Sequence, residues 1–279
     1  MPHLLIFGLG YTAGRLAHHL REQGWSVEAT GRAGTISIED EPSVHAALGC
    51  ATHILSSVPP HDEHDPVLAR YGEAIGQARA EWIGYLSSTG LYGDTGGAWV
   101  DESAPIGLGR RNARSAADLG WQSLYRPIHI FRLPGIYGPG RSALDRVREG
   151  RARRIDLPDQ IFSRIHVDDI LCGLIAGMAG PAGIYNLADD RPSAQNDVIE
   201  HAAALLGLSP PPLQRLEEAD LSPAALAFYS ENRRVANGKA KRLLGWTPPY
   251  VDYRSGLAAC LTQARMERDD HAAQREQDA

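Results

Sequence analysis

His3-Leu4-Leu5-Ile6-Phe7-Gly8-Leu9-Gly10-Tyr11-Thr12-Ala13-Gly14 runs from an apolar strand directly into a glycine-rich turn. Residues 15–23 continue with helical periodicity. Ala13, Leu16, Ala17 and Leu20 fall on one side, and Gly24 is placed to end the helix. A second apolar strand, residues 25–29, leads into Thr30-Gly31-Arg32. Strand, glycine turn, helix, strand is the pattern of a dinucleotide-binding half-unit in a doubly wound, parallel α/β sheet. Gly8 permits the tight turn, and Gly10 lets the backbone approach a pyrophosphate beside Tyr11 and Thr12. Ala13, at the third position, keeps the helix close to the sheet. The helix N-terminus offers free N–H groups to the phosphates. The competing reading is a glycine turn that binds nothing.

The end of the second strand bears on which dinucleotide binds. An NAD site usually carries Asp or Glu there to accept bonds from the adenosine ribose. This chain has Gly31 and then Arg32, while Glu28 lies inside the strand. An arginine fork grips a 2′-phosphate that a carboxylate would repel. NADP(H) is therefore expected ahead of NAD(H), unless Arg32 is only a solvated surface charge.

With 279 residues, the chain can bury a substantial core. A formal charge of −6 argues against a dedicated nucleic-acid partner. Cys50, Cys172 and Cys260 are odd in number and far apart, so buried free thiols in a reduced compartment are expected. The first strand starts near residue 3, and no stretch reaches the ~18 apolar residues of a spanning helix. A soluble, cytoplasmic protein without membrane contact is expected.

Further along, Ser37-Ile38 reads as a minimal third strand. Residues 53–58 form a strand ending at Pro59-Pro60, where Ser57 and Pro59 can line a cofactor crevice. His61-Asp62-Glu63-His64-Asp65 lacks metal-ligand spacing and reads as a charged loop. A helix is predicted over 66–80. The apolar run at 82–86 reads as a buried parallel strand ending in Ser87-Ser88-Thr89. Strand carboxyl ends carry chemistry in such sheets, which puts Ser88 and Thr89 next to a substrate. Local backbone capping is the alternative role. Arg110, Arg111 and Arg114 stand at the start of a helix expected to reach Tyr125. Cations there oppose the helix dipole, so they either await an anion or form a solvated basic turn. Arg148, Arg151, Arg153 and Arg154 read as a solvated basic face. Asp168 or Asp169 is expected to cap a helix running to Met178. A helix interrupted at Pro223 is expected over 217–228.

Taken together, these motifs resemble the extended short-chain dehydrogenase/reductase family, of the NAD-dependent epimerase/dehydratase type, in an atypical branch. The resemblance covers about residues 3 to 262. It rests on GLGYTAG at 8–14, SSTGLYG at 87–93, RLPGIYGPG at 132–140, SRIHVDDI at 163–170, YNLADD at 185–190 and NGKAKRLLGW at 237–246. It implies a Rossmann-type domain from 1–136 and 163–189. A small substrate lobe would come from 137–162 and 190–262, and a flexible charged tail from 263–279. It also implies a small-molecule substrate in the cleft between the two parts. Helices near 66–80 and 114–125 would pair in a homodimer. Ser88 matches the family's catalytic serine, with Thr89 beside it, and Pro134 matches a residue near the nicotinamide.

One departure changes the expected chemistry. The family's proton-transferring tyrosine stands one helical turn before a lysine. Aligning Ala116-Ala117-Asp118 with the family pattern puts Arg110 at the tyrosine position and Arg114 at the lysine position. Arg114 can still grip ribose hydroxyls. Arg110 cannot act as acid or base, because guanidinium does not deprotonate in proteins. Tyr92 and Tyr137 are the substitutes to consider, although both match structural tyrosines. Two readings stand. One is an NAD(P)-dependent oxidoreductase or epimerase using Ser88, Thr89, Arg110 and Arg114. The other is a non-catalytic NADP(H)-binding sensor or scaffold.

Overall fold

The apolar runs assemble side by side. The computed structural model describes residues 1–62, 64–107, 112–124 and 126–277. Strands β1 (His3–Phe7), β2 (Ser26–Ala29), β3 (His53–Ser56), β4 (Trp82–Ser88), β5 (His129–Leu133) and β6 (Gly183–Asn186) form a six-stranded sheet in the order β6-β5-β4-β3-β1-β2. Every pairing in it is parallel. Parallel strands need cover on both faces, and alternation along β1 meets that need. Leu4 and Ile6 join one apolar layer, Leu5 and Phe7 the other.

Helix α1 (Tyr11–Glu22) packs Ala13, Leu16, Ala17 and Leu20 into the first layer. Helices α2 (Glu41–Cys50), α3 (Pro66–Gln77) and α4 (Asn112–Gln122) cover the second, through residues such as Val44, Val67, Ile75 and Trp121. A separate apolar cluster joins Leu144 of α5 (Ala143–Arg148) to helices further along the chain. Beyond α6 (Val167–Ala179), these are α7 (Gln195–Leu206), through Val198 and Ala202, and α10 (Tyr253–Gln277), through Leu257 and Leu261. Between the last two lie α8 (Pro223–Tyr229) and α9 (Gly238–Leu244). Helix α6 and Ala240 of α9 lie with α1 on the first face.

The chain leaves β1 toward β2 and then returns to place β3 on the other side of β1. The crevice of such a sheet opens where the strand order reverses, here above β1 and β3. Gly8 makes the exit from β1 at φ +87°, and a side chain there would meet Val58 Cγ2 at 2.8 Å. The Ser57 hydroxyl donates to the Gly8 carbonyl at 2.5 Å, which locks the two strand ends together.

Several expectations need correction. Ser37-Ile38 is not a strand: a single bridge, Thr30 to Ile36, ends the sheet, and Ile38 lies in a turn. Neither Asp168 nor Asp169 caps α6. His166 does so, its Nδ1 accepting from the Asp168 amide at 3.2 Å. Proline begins α8 rather than interrupting a longer helix, since its missing N–H costs nothing in a first turn. Helix α4 ends at Gln122, and Cys50 is exposed. The charged segment from Gln263 continues α10 as helix to Gln277. Among the described residues, no helix is long and apolar enough to cross a membrane and no metal-ligand cluster occurs.

Arg132 of β5 and Asp118 of α4 are 2% and 0% exposed and meet through Nη2–Oδ1 at 2.8 Å and Nε–Oδ2 at 3.1 Å. Breaking one side of a buried pair leaves an uncompensated charge. Arg132→Met should therefore lower the unfolding free energy in urea melts by about 3–5 kcal/mol. A loss below about 1 kcal/mol would contradict that role.

Asp169 is buried, with Tyr250 N–H donating to Oδ1 at 3.0 Å, and burial pushes its pKa up to about 7. Folding thus takes up a proton at Asp169 from about pH 4 to 7, and this contribution to stability falls as pH rises through that window. Burial pulls His166 down to about 4, which contributes the opposite slope between about 4 and 6.5. Comparison with Asp169→Asn isolates the first effect. Wild type should lose up to about 1.4 kcal/mol per pH unit relative to the variant between pH 4 and 7. Parallel stability curves would contradict it.

Candidate cofactor and substrate cleft

The carboxyl ends of β1, β3, β4 and β5 open into one cleft of about 700 Å³. Gly10, Tyr11 and Thr12 line its β1 side, and Ser57 and Pro59 line the β3 side. Ser88, Thr89, Arg114 and Pro134 line it as well. Gly10 caps α1 without any side-chain cap, and no acidic residue stands in the first turn. The positive end of the helix dipole is thus left unneutralised at the cleft. Among the described residues, none beyond its chain neighbours comes within 4 Å of where a Gly10 side chain would begin.

Ser88 is half-buried at the end of β4. Its hydroxyl oxygen accepts from the Gly90 amide at 3.1 Å, leaving its own hydrogen to be donated elsewhere. The Thr89 hydroxyl is buried and faces the Leu133 carbonyl at 3.5 Å. Three expected residues lie outside the cleft lining. Gly8 and Ala13 sit behind it, in the turn and the helix–sheet contact, and Arg32 is exposed just past β2. Glu28 is engaged by His3 at 2.9 Å. Arg110, at the position of the family tyrosine, lies outside the described residues.

The candidate substitute tyrosines are held by the fold. The Tyr92 hydroxyl donates to Asn186 Oδ1 at 2.8 Å and accepts from Arg132 Nη1 at 3.0 Å. The Tyr137 hydroxyl faces the Asp252 carbonyl at 3.5 Å, and burial raises its pKa. Tyr11 does line the cleft, but its hydroxyl donates to the Pro139 carbonyl at 3.0 Å and burial pushes its pKa up to about 12.

A second cavity of about 770 Å³ adjoins the first, and both are lined by Gly135, Ile136, Arg141 and Phe228. Arg146, Arg151, Arg153 and Arg164 add four further guanidinium groups to its wall, against the carboxylates of Asp145 and Glu149. The basic stretch read as a solvated face therefore lines this chamber at Arg151 and Arg153. Asp145 is committed to a capping box with Ser142, and Glu149 pairs with Arg151. Arg164 is buried, donating to the carbonyls of Phe162 and Ser193 at 3.0 and 3.1 Å, and burial pulls its pKa down to about 10. Burial also lowers that of Arg146.

Arg141, Arg146, Phe228, Glu231 and Arg233 escaped the sequence reading. Glu231 and Arg233 face the first cleft, joined Oε2 to Nη1 at 2.8 Å, with Arg233 also donating to the Gly93 carbonyl at 2.8 Å. Their only local signal was charge after a short helix, which marks a solvated turn as often as a site.

No protein-family model matches the sequence. A 3-diazoavenalumate denitrifying reductase from a Streptomyces species is 28% identical over 57% of this chain, and the chain spans 58% of that protein's length. Among solved structures, MoeE5 in complex with UDP-glucose and NAD is 19% identical over 95% of this chain and 99% of its own, with a TM-score of 0.75. At that identity the likeness is one of fold. A functionally unknown conserved protein from Silicibacter pomeroyi DSS is 42% identical, covering 94% of this chain and 99% of its own, with a TM-score of 0.85. The chain belongs to one family with that conserved protein, built on the fold of the NAD-dependent epimerase/dehydratases of the extended short-chain dehydrogenase/reductase group.

Proposed function

We propose that this protein is an NADP(H)-dependent oxidoreductase acting on a small anionic carbonyl or hydroxyl compound. The observation that carries the reading is a pair of adjoining cavities that share Gly135, Ile136, Arg141 and Phe228. The uncapped α1 N-terminus and Ser88 stand at the first, and the second is an arginine-lined chamber. The donor set suits a dinucleotide. Gly10, Tyr11 and Thr12 would hold the diphosphate, Arg32 the adenosine 2′-phosphate, and Arg114 the nicotinamide ribose. Ser57, Pro59 and Pro134 would complete the wall. When bound, the dinucleotide supplies or accepts hydride.

Ser88 donates its free hydroxyl hydrogen to the substrate oxygen, which stabilises charge developing there. Arg141 and the chamber arginines hold the substrate's anionic end and so fix which carbon faces the cofactor. The reductase relative favours net reduction over epimerisation. A soluble, cytoplasmic homodimer remains the expectation for its assembly and location.

Binding of NADPH and NADH, followed by fluorescence, checks the cofactor. NADPH should bind at least ~10-fold tighter, and Arg32→Ala should bring the two within about 3-fold, the scale of one charge-assisted phosphate contact. Equal binding in wild type would overturn the preference. Turnover is checked by NADPH oxidation against a panel of carbonyl acids. Ser88→Ala should cut kcat by roughly 100- to 1000-fold with NADPH affinity unchanged. Tight NADPH binding with no turnover on any member of the panel would favour the binding-only role.

A further inference from the structure

Resting on the reading of the cleft as a cofactor and substrate site, we propose that the substrate is an aromatic acid. Its ring stacks on Phe228, and its anionic group points away from Ser88 into the arginine chamber. Phe228 remains 45% exposed, and it lines both cavities. Its ring lies parallel to that of buried Phe162, with centroids 4.3 Å apart and planes at 7°. Tyr229 meets Phe162 edge-on at 5.6 Å. Phe228 is thus the accessible end of a braced aromatic stack. Such a surface favours another flat ring over a saturated one of the same size.

The order of groups along the cleft points to the same class. Thr89 and Phe228 line a small connecting space together, so the aromatic wall begins beside the strand end that carries Ser88. Arg146, Arg151 and Arg153 line the second cavity and not the first, Arg151 paired with Glu149 and Arg153 donating to the Gly150 and Ala152 carbonyls. Arg114, Arg141 and Arg233 line the first cleft with Ser88, Phe228 stands where the two cavities meet, and Arg146, Arg151, Arg153 and Arg164 line only the second of the two. A nucleotide sugar has the opposite order, with the diphosphate next to the sugar and the flat base beyond it. An aromatic ring with the reactive group at one end and a carboxylate at the other matches the order found here. Cations near the stack add favourable contact with the π face of the ligand.

Calorimetry tests this with 4-formylbenzoate, its methyl ester, 4-formylcyclohexane-carboxylate and UDP-glucose. Each is titrated into the protein both free and saturated with NADP⁺. 4-Formylbenzoate should bind at least ~10-fold tighter than the ester and about 5- to 10-fold tighter than the saturated acid. Phe228→Leu should reduce the preference for the aromatic ring to under about 2-fold while keeping the preference for the acid. The double variant Arg146→Gln, Arg153→Gln should do the reverse, and NADP⁺ affinity should be unchanged in both. Equal binding of the aromatic and saturated acids, or tighter binding of UDP-glucose than of 4-formylbenzoate, overturns the proposal. Failure of 4-formylbenzoate to bind either form does so as well. If NADP⁺ itself does not bind, the cofactor reading falls, while titrations of the free protein still decide the chamber's ligand.

Discussion

The guanidinium of Arg132 and the carboxylate of Asp118 face each other inside the protein, and the geometry of the sheet edge that lines the first cleft depends on that contact. The Ser87 hydroxyl donates to Asp118 Oδ2 at 2.5 Å, which sets the end of β4 one residue before Ser88. Asp118 sits on α4, which also carries Arg114, so its bonds to Ser87 and Arg132 hold that helix against the strand ends, and Gln122 of the same helix donates to Asp118 Oδ1 at 2.7 Å. Arg132 also reaches Tyr92, Tyr92 reaches Asn186, and the Asn186 amide nitrogen donates to the Ala236 carbonyl at 3.1 Å. A buried charge pair adds little net stability over an apolar replacement, but an incomplete one is costly. The network therefore acts mainly as a register device, penalising any arrangement in which β4, β5, β6 and α4 do not meet in this one way.

Around that frame, the cleft divides by chemistry. At the β1 end, the groups presented are backbone: an uncapped helix terminus and a glycine with open space above it. In the second cavity they are side chains, arginines that outnumber carboxylates already engaged by a cap and an ion pair. Backbone donors suit a part shared by all dinucleotides, whereas side-chain charge can be tuned to one substrate. The likeness to MoeE5 in complex with UDP-glucose and NAD is one of fold and assigns no ligand to either region.

The absence of a tyrosine one turn before Arg114 remains the chemical signature of this chain. Tyr92 and Tyr137 are committed to interior contacts, and the Tyr11 hydroxyl to a loop carbonyl. Within the described part of the first cleft, Ser88 supplies a hydroxyl and Glu231 a carboxylate held by Arg233.

The opening strand, its glycine turn and the apolar face of α1 were legible in the sequence. Gly8, Gly10, Ala13, Leu16 and Leu20 are local constraints, fixed by φ, close approach and helical period. The strand ends carrying Ser57, Ser88 and Pro134 were legible for the same reason, since short apolar runs punctuated by Ser, Pro and Gly stop where pairing stops. The cap of α6 by His166 was not legible, because Asp168 and Asp169 are better caps by propensity. The decision came from a buried histidine wedged against Tyr137 and Tyr250. Nor was the arginine chamber: Arg141, Arg146, Arg153 and Arg164 look like ordinary surface charge until α5, α7 and α8 close around them. Local backbone demands are written in neighbouring residues, so sequence alone determined the dinucleotide-binding half-unit. The convergence of distant side chains depends on packing across more than a hundred residues, and only the tertiary structure decided that Phe228 lines one cavity with Ser88 and a second with the arginines.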